Sequence, residues 1–176
     1  MRPLPPGMAA LAAHANFILV KLVPHATRPG RTEKLPINWR TGEVADAHDR
    51  SHWMAYHQAA PMPAVWGDNF TLGWVLTPEA GLWCVDVDHC VVGGQWSDTA
   101  LKMFQLLHGA AVELSHSREG LHFWGRGHVP PHSMKCAALG MAVDVFDDDG
   151  WSVERCLVRV WAEGSKAVSI IGRSAT

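Results

Sequence analysis

Apolar positions in this chain come in short runs broken by glycine and proline, not in long helical stripes. Phe17-Ile-Leu-Val-Lys-Leu-Val23 is apolar and β-branched and ends at Pro24, which predicts a first strand. The runs Phe70 to Thr77 and Gly81 to Asp88 are separated only by Pro78-Glu79-Ala80, a spacing that predicts an antiparallel hairpin. Further strands are predicted at Ala111 to Leu114, Leu121 to Gly125 and Gly140 to Phe146, and then within Trp151 to Val160 and Ala167 to Ile171. A helix is expected over Asp98 to His108 behind Ser97 as N-cap, with Ala100, Met103, Phe104 and Leu107 at helical spacing. Asp49 or Ser51 is placed to cap a short helix from Trp53 to Ala60, and Pro61-Met-Pro63 is expected to end it. Residues 1–15 read as a Pro- and Ala-rich lead-in, and His25 to Gly42 as loop. A helix set among strand pairs predicts an α+β fold on a mostly antiparallel sheet, a single domain over 1–176 with an atypical segment at 151–176.

Composition narrows the classes. The 176 residues are 48% hydrophobic, which excludes a disordered or collagen-like chain. A net charge of −2 advertises no nucleic-acid partner by itself. The total hides a local basic stretch, however, in which Arg28, Arg31, Lys34 and Arg40 face only Glu33. Cys84, Cys90, Cys136 and Cys156 show neither CxxC spacing nor a disulfide framework, and the three histidines at 116, 122 and 128 show no zinc pattern. No apolar run approaches the roughly 18 residues of a membrane span. A cytoplasmic protein is the expectation.

Three acidic or polar motifs interrupt the apolar strands. In Leu82-Trp-Cys-Val-Asp86-Val-Asp88 the two carboxylates stand at i and i+2, hence on one side of a strand. Adjacent carboxylates repel unless they share a cation, and Mg²⁺ or Mn²⁺ with bound phosphates is a common solution; a solvated strand end is the plain alternative. Ser115-His-Ser117-Arg118-Glu-Gly120-Leu-His122 is a polar turn between apolar strands. Its hydroxyls, amides and Arg118 suit a phosphate, and His122 points away from Leu121 and Phe123. Asp144 sits alone between valines, where a buried charge is costly without a partner. If its strand neighbours that of Asp86 and Asp88, three carboxylates converge in the manner of two-metal phosphoryl transfer; an edge-strand acid facing water is the alternative.

Taken in order, the DxD strand, the Ser-x-Ser-x-x-Gly-x-His turn and the apolar-Asp strand resemble the archaeo-eukaryotic primase superfamily. The likeness is to the bifunctional DNA primase/polymerase domain of phages, prophages and plasmids, over about Phe17 to Phe146. The resemblance implies an RRM-like sheet with flanking helices beside a small N-terminal α/β unit. It implies a template-dependent nucleotidyltransferase that takes dNTP or NTP on single-stranded DNA in replication, at times with a helicase domain or protein. It also assigns roles: Asp86, Asp88 and Asp144 as the catalytic Mg²⁺ or Mn²⁺ ligands, and His122 on the incoming nucleotide's phosphates. Ser115, Ser117 and Arg118 fall in the phosphate-contacting turn, and Lys34 matches a lysine that contacts phosphate or template.

The chain departs from the family at Arg118-Glu119, where small residues are usual, and beyond Asp144, where the text from Trp151 to Thr176 is unfamiliar. A truncated fragment is therefore one expectation. Two other functions stay open: a nucleic-acid-binding relic without turnover, and a DxD metal-dependent nucleotide-sugar transferase or phosphohydrolase that works without His122.

Overall fold

The computed structural model of the chain describes residues 4–127, 158–161 and 168–170. It is an α+β fold. A 3-10 helix, Pro6–Ala13, precedes strands β1 (Phe17–Pro24) and β2 (Thr32–Ile37) and two short helices, α1 (Tyr56–Ala59) and α2 (Met62–Trp66). Strand β3 (Phe70–Val75) is followed by β4 (Leu82–Val87), a small hairpin of β5 (Val91–Val92) and β6 (Gln95–Trp96), and helix α3 (Asp98–Leu106). Strands β7 (Ala111–Leu114), β8 (Leu121–Arg126), β9 (Val158–Trp161) and β10 (Val168–Ile170) complete the order.

These elements form two compact units, one running to Val75 and taking in β10, the other holding β4 to β9. In the first, the sheet order is β10-β3-β1-β2 with antiparallel neighbours throughout. Phe17, Ile18, Leu19 and Val20 are all buried, so β1 is covered on both faces. That is why its sequence is a continuous apolar run without alternation. Ile18 and Val20 pack with Ala47 and Val75, while the Phe17 ring meets Tyr56 at 5.2 Å between centroids.

Several expectations need correction here. The stretch expected to be loop contains β2, whose exposed charged residues and Pro36 hid it; as an edge strand paired only to β1, it tolerates a proline without an N–H. The lead-in forms a 3-10 helix anchored by buried Met8 and Leu11. Helix α1 ends at Ala59, just before Pro61-Met-Pro63, as expected; the same stretch also begins α2, because a proline in the first turn loses no intrahelical bond. The helix expected over Trp53 to Ala60 is divided: a 3-10 turn at Arg50–His52, capped by the Asp49 side chain, precedes the four-residue α1. The hairpin expected between Phe70 to Thr77 and Gly81 to Asp88 does not form. Both edges of β3 are taken by β1 and β10, and the 3-10 turn Pro78–Ala80 passes the chain into a different sheet.

The second unit carries an antiparallel sheet of order β7-β8-β4-β9. One face is apolar: Val85, Val87, Leu121 and Phe123 pack with Ala100 and Met103 of α3 and with Cys90 and Val91. Ser97 caps the helix as expected, its Oγ accepting from the Ala100 N–H. Phe104, expected in the buried stripe, is half exposed and stands edge-on to Trp96. The strand predicted over Gly140 to Phe146, with the turns around it, lies outside the described residues.

On that apolar face Trp83 lies across Gly125 so closely that a Cβ there would fall 1.9 Å from the indole. Gly125→Ala is expected to lower stability by about 1–3 kcal/mol through overpacking. In a Trp83→Leu background the same change is expected to cost much less, and urea unfolding of the four proteins measures both effects.

Candidate active site

The opposite face of this sheet carries the polar residues, because alternate residues of a strand point to opposite sides. Register places Glu113 of β7 opposite His122 of β8, and His122 opposite Asp86 of β4. The side chains follow the register. His122 Nδ1 lies 3.2 Å from Glu113 Oε2, and His122 Nε2 lies 3.6 Å from Asp86 Oδ1. Trp124, two residues on from His122, donates its Nε1–H to the same Glu113 Oε2 at 3.2 Å. All three ionisable residues of the row are nearly sealed, with Asp86 9%, Glu113 8% and His122 8% exposed. Buried charge is tolerated only where it is paired, and this row pairs it along its length. Cys84 lies on the same face; burial pushes its thiol well above the ordinary 9.0, and the Asp86 and Glu113 carboxylates push the same way.

Asp88 is the first residue beyond β4, in a turn where His89 adopts a positive φ of 55°. The turn from Ser115 to Gly120 is locked against it. Ser115 Oγ accepts from the Gly120 N–H at 3.0 Å and lies 3.0 Å from Ser117 Oγ, while Ser117 Oγ accepts from the Glu119 N–H. The Val91 N–H donates to the Glu119 carbonyl, and His89 Nδ1 lies 3.6 Å from Glu119. At Gly120 a Cβ would stand 2.8 Å from the Val87 carbonyl oxygen and 3.4 Å from the Asp88 Cα. Glycine is what lets the turn close on the end of the DxD strand. Arg118, exposed at the tip, is held at a φ of 62°.

Of the residues singled out in the sequence, Asp86 and His122 meet directly, and Asp88, Ser115, Ser117 and Arg118 lie on the two interlocked turns beside them. Lys34 is exposed on β2, in the other unit, opposite Leu22. Asp144 lies outside the described residues. Strand β4 has β8 on one side and β9 on the other, and on the β9 side the residue in register with Asp86 is Arg159. Sequence reasoning passed over Glu113, Trp124 and Arg159. Glu113 did carry a signal, an acid set in an apolar strand, the same one that drew attention to Asp144. Among the described residues no group of three or more His, Cys, Asp or Glu converges on a common metal position. The donors that are present, Asp86 and Asp88, are hard oxygens of the kind Mg²⁺ accepts in ones and twos with substrate phosphates.

Two outcomes follow from this packing. Gly120→Ala is expected to cost about 1–3 kcal/mol and to shift the backbone amide resonances of residues 87–91 and 115–120 together, since the added methyl meets backbone. Above pH 9.0 the unfolded chain ionises the Cys84 thiol and the folded chain does not. Stability should therefore fall with rising pH, by up to about 1.4 kcal/mol per pH unit from this group. Urea titrations at pH 8 to 10.5 check it, because Cys84→Ala removes that share of the slope.

No family model matches the chain, and no curated protein matches it.

Proposed function

We propose that the second unit is a template-dependent nucleotidyltransferase of the primase/polymerase kind, acting on dNTP or NTP with single-stranded DNA as partner. The observation that carries this reading is the direct approach of His122 to Asp86 across paired strands, with Asp88 and the Ser115–Gly120 turn fastened at the same end of the sheet. Asp86 with His122 at hand, and Asp88 and the Ser115–Gly120 turn adjoining along the backbone, are the kinds of group a nucleoside triphosphate and its metal would call on.

In this reading Asp86 and Asp88 would hold Mg²⁺ or Mn²⁺, which when bound supplies positive charge to the reacting phosphate. His122 orients the incoming nucleotide's phosphates beside Asp86. Ser115 and Ser117, whose hydroxyls already brace the turn, together with Arg118 at its tip, take the outer phosphate oxygens. Hydrogen bonds within the turn already hold its shape, which lowers the ordering that binding would require. The resemblance also gives Lys34 a template or phosphate contact, while the condition for Asp144 to join Asp86 and Asp88 from a neighbouring strand is not met, because β8 and β9 take both sides of β4. A second reading, nucleic-acid binding without turnover, draws on the basic stretch with Arg28, Arg31, Lys34 and Arg40.

Primer extension and de novo synthesis on single-stranded DNA, with Mg²⁺ or Mn²⁺, test the proposal. Wild type is expected to make product, and Asp86→Asn/Asp88→Asn to lose about a thousandfold, the several kcal/mol such metal ligands contribute to a transition state. Absence of product from the wild type, with single-stranded DNA still bound, selects the binding reading. Hydrolysis of a nucleotide or nucleotide sugar without any template selects a DxD hydrolase or sugar transferase.

A further inference from the structure

Glu113 is the buried ionisable residue that the assignment above leaves without a task. It stands at the centre of β7, with residues of mixed exposure around it, and its Oε2 receives two donors at 3.2 Å, His122 Nδ1 and Trp124 Nε1. A carboxylate in such a place is costly, and an apolar side chain would serve packing as well or better. What an apolar side chain lacks is an acceptor.

An ionised carboxylate only accepts hydrogen bonds, so the imidazole nitrogen facing it must carry a proton. A carboxylate accepting from one ring nitrogen fixes a proton on that nitrogen and the orientation of the whole ring. Here that bond is on Nδ1, and the remaining nitrogen, Nε2, is directed at Asp86. Trp124 fixes the carboxylate in turn, since its indole N–H donates to the same oxygen.

We propose that Glu113 is the positioning residue of this site: it accepts the Nδ1–H of His122, fixes the ring's rotation, and so holds Nε2 beside Asp86 at the place a ligand would reach. Its consequence for nucleotide binding rests on the function proposed above; the orientation of the ring does not. The arrangement has the logic of a carboxylate behind a ligand histidine, where loss of the outer partner weakens ligand affinity without touching the ligand.

The test uses the full chain as wild type, Glu113→Gln, Glu113→Leu and Trp124→Phe, with two readouts. Long-range ¹H–¹⁵N correlation spectra of the imidazole show which nitrogen of His122 carries the proton. Calorimetric titration with dATP and Mg²⁺, and steady-state primer extension, show the functional effect. Wild type should carry the proton on Nδ1. Glu113→Gln retains an oxygen acceptor and should keep it there, rescuing dATP affinity to near the wild-type value. Glu113→Leu should release the Nδ1 proton, weaken dATP binding and raise its KM by about tenfold, while kcat changes by less than about threefold. A bare Nδ1 in wild type, or a His122 spectrum unchanged in Glu113→Leu, overturns the proposal. If Glu113→Leu does not fold, Trp124→Phe decides: an Nδ1 proton that persists supports Glu113, and one that is lost assigns the ring's orientation to Trp124. A wild type that binds no dATP yet shows the expected imidazole spectra retires the nucleotide reading and leaves the positioning role standing.

Discussion

The register between β4 and β8 is the constraint on which the site depends. Side chains alternate along a strand, so a slip of one residue would turn Asp86 or His122 to the far face and bring apolar residues out in its place. The register is held by what lies on that far face, where Val85 and Val87 of β4 meet Leu121 and Phe123 of β8 under α3. Hydrophobic burial thus specifies the position of groups that share none of it. The polar row gains its alignment from a core it does not touch, at no cost in polar residues buried within that core.

The row has its own economy. Three ionisable side chains and an indole are nearly closed to solvent, and they are joined to one another from Asp86 through His122 and Glu113 to Trp124. Removing any one would leave its neighbour as a buried group without that partner, which is more damaging than removing the whole set. The Ser115–Gly120 turn extends the same principle outward, as its hydroxyls satisfy amides of the turn itself before meeting any ligand.

How much of this was legible in the sequence depended on the kind of signal each residue gave. Strands with apolar, β-branched runs, such as β1, β4 and β8, and the Ser97-capped helix could be read directly, because burial and capping leave local marks. Strand β2 could not, since an edge strand needs no apolar face on its outer side and so reads as loop. Strand pairing was misjudged at β3 and β4 for a related reason: proximity in sequence suggested a hairpin, but β3 pairs with β1 and β10, and β4 with β8 and β9, all of them far away along the chain. Asp86 and His122 were found through spacing and company. Glu113 was not, because its meaning lies in a cross-strand register that no local window contains.

Each sheet is finished by a strand from late in the chain: β10 seals the outer edge of β3, and β9 the outer edge of β4. During synthesis from the N-terminus, β3 and β4 therefore emerge with one side of each unpaired, and remain so until residues 158–170 are made. Open edges of apolar strands are templates for pairing with other chains, and contacts this distant in sequence are slow to form. Until then those edges are the places where the nascent chain is most open to pairing with another copy.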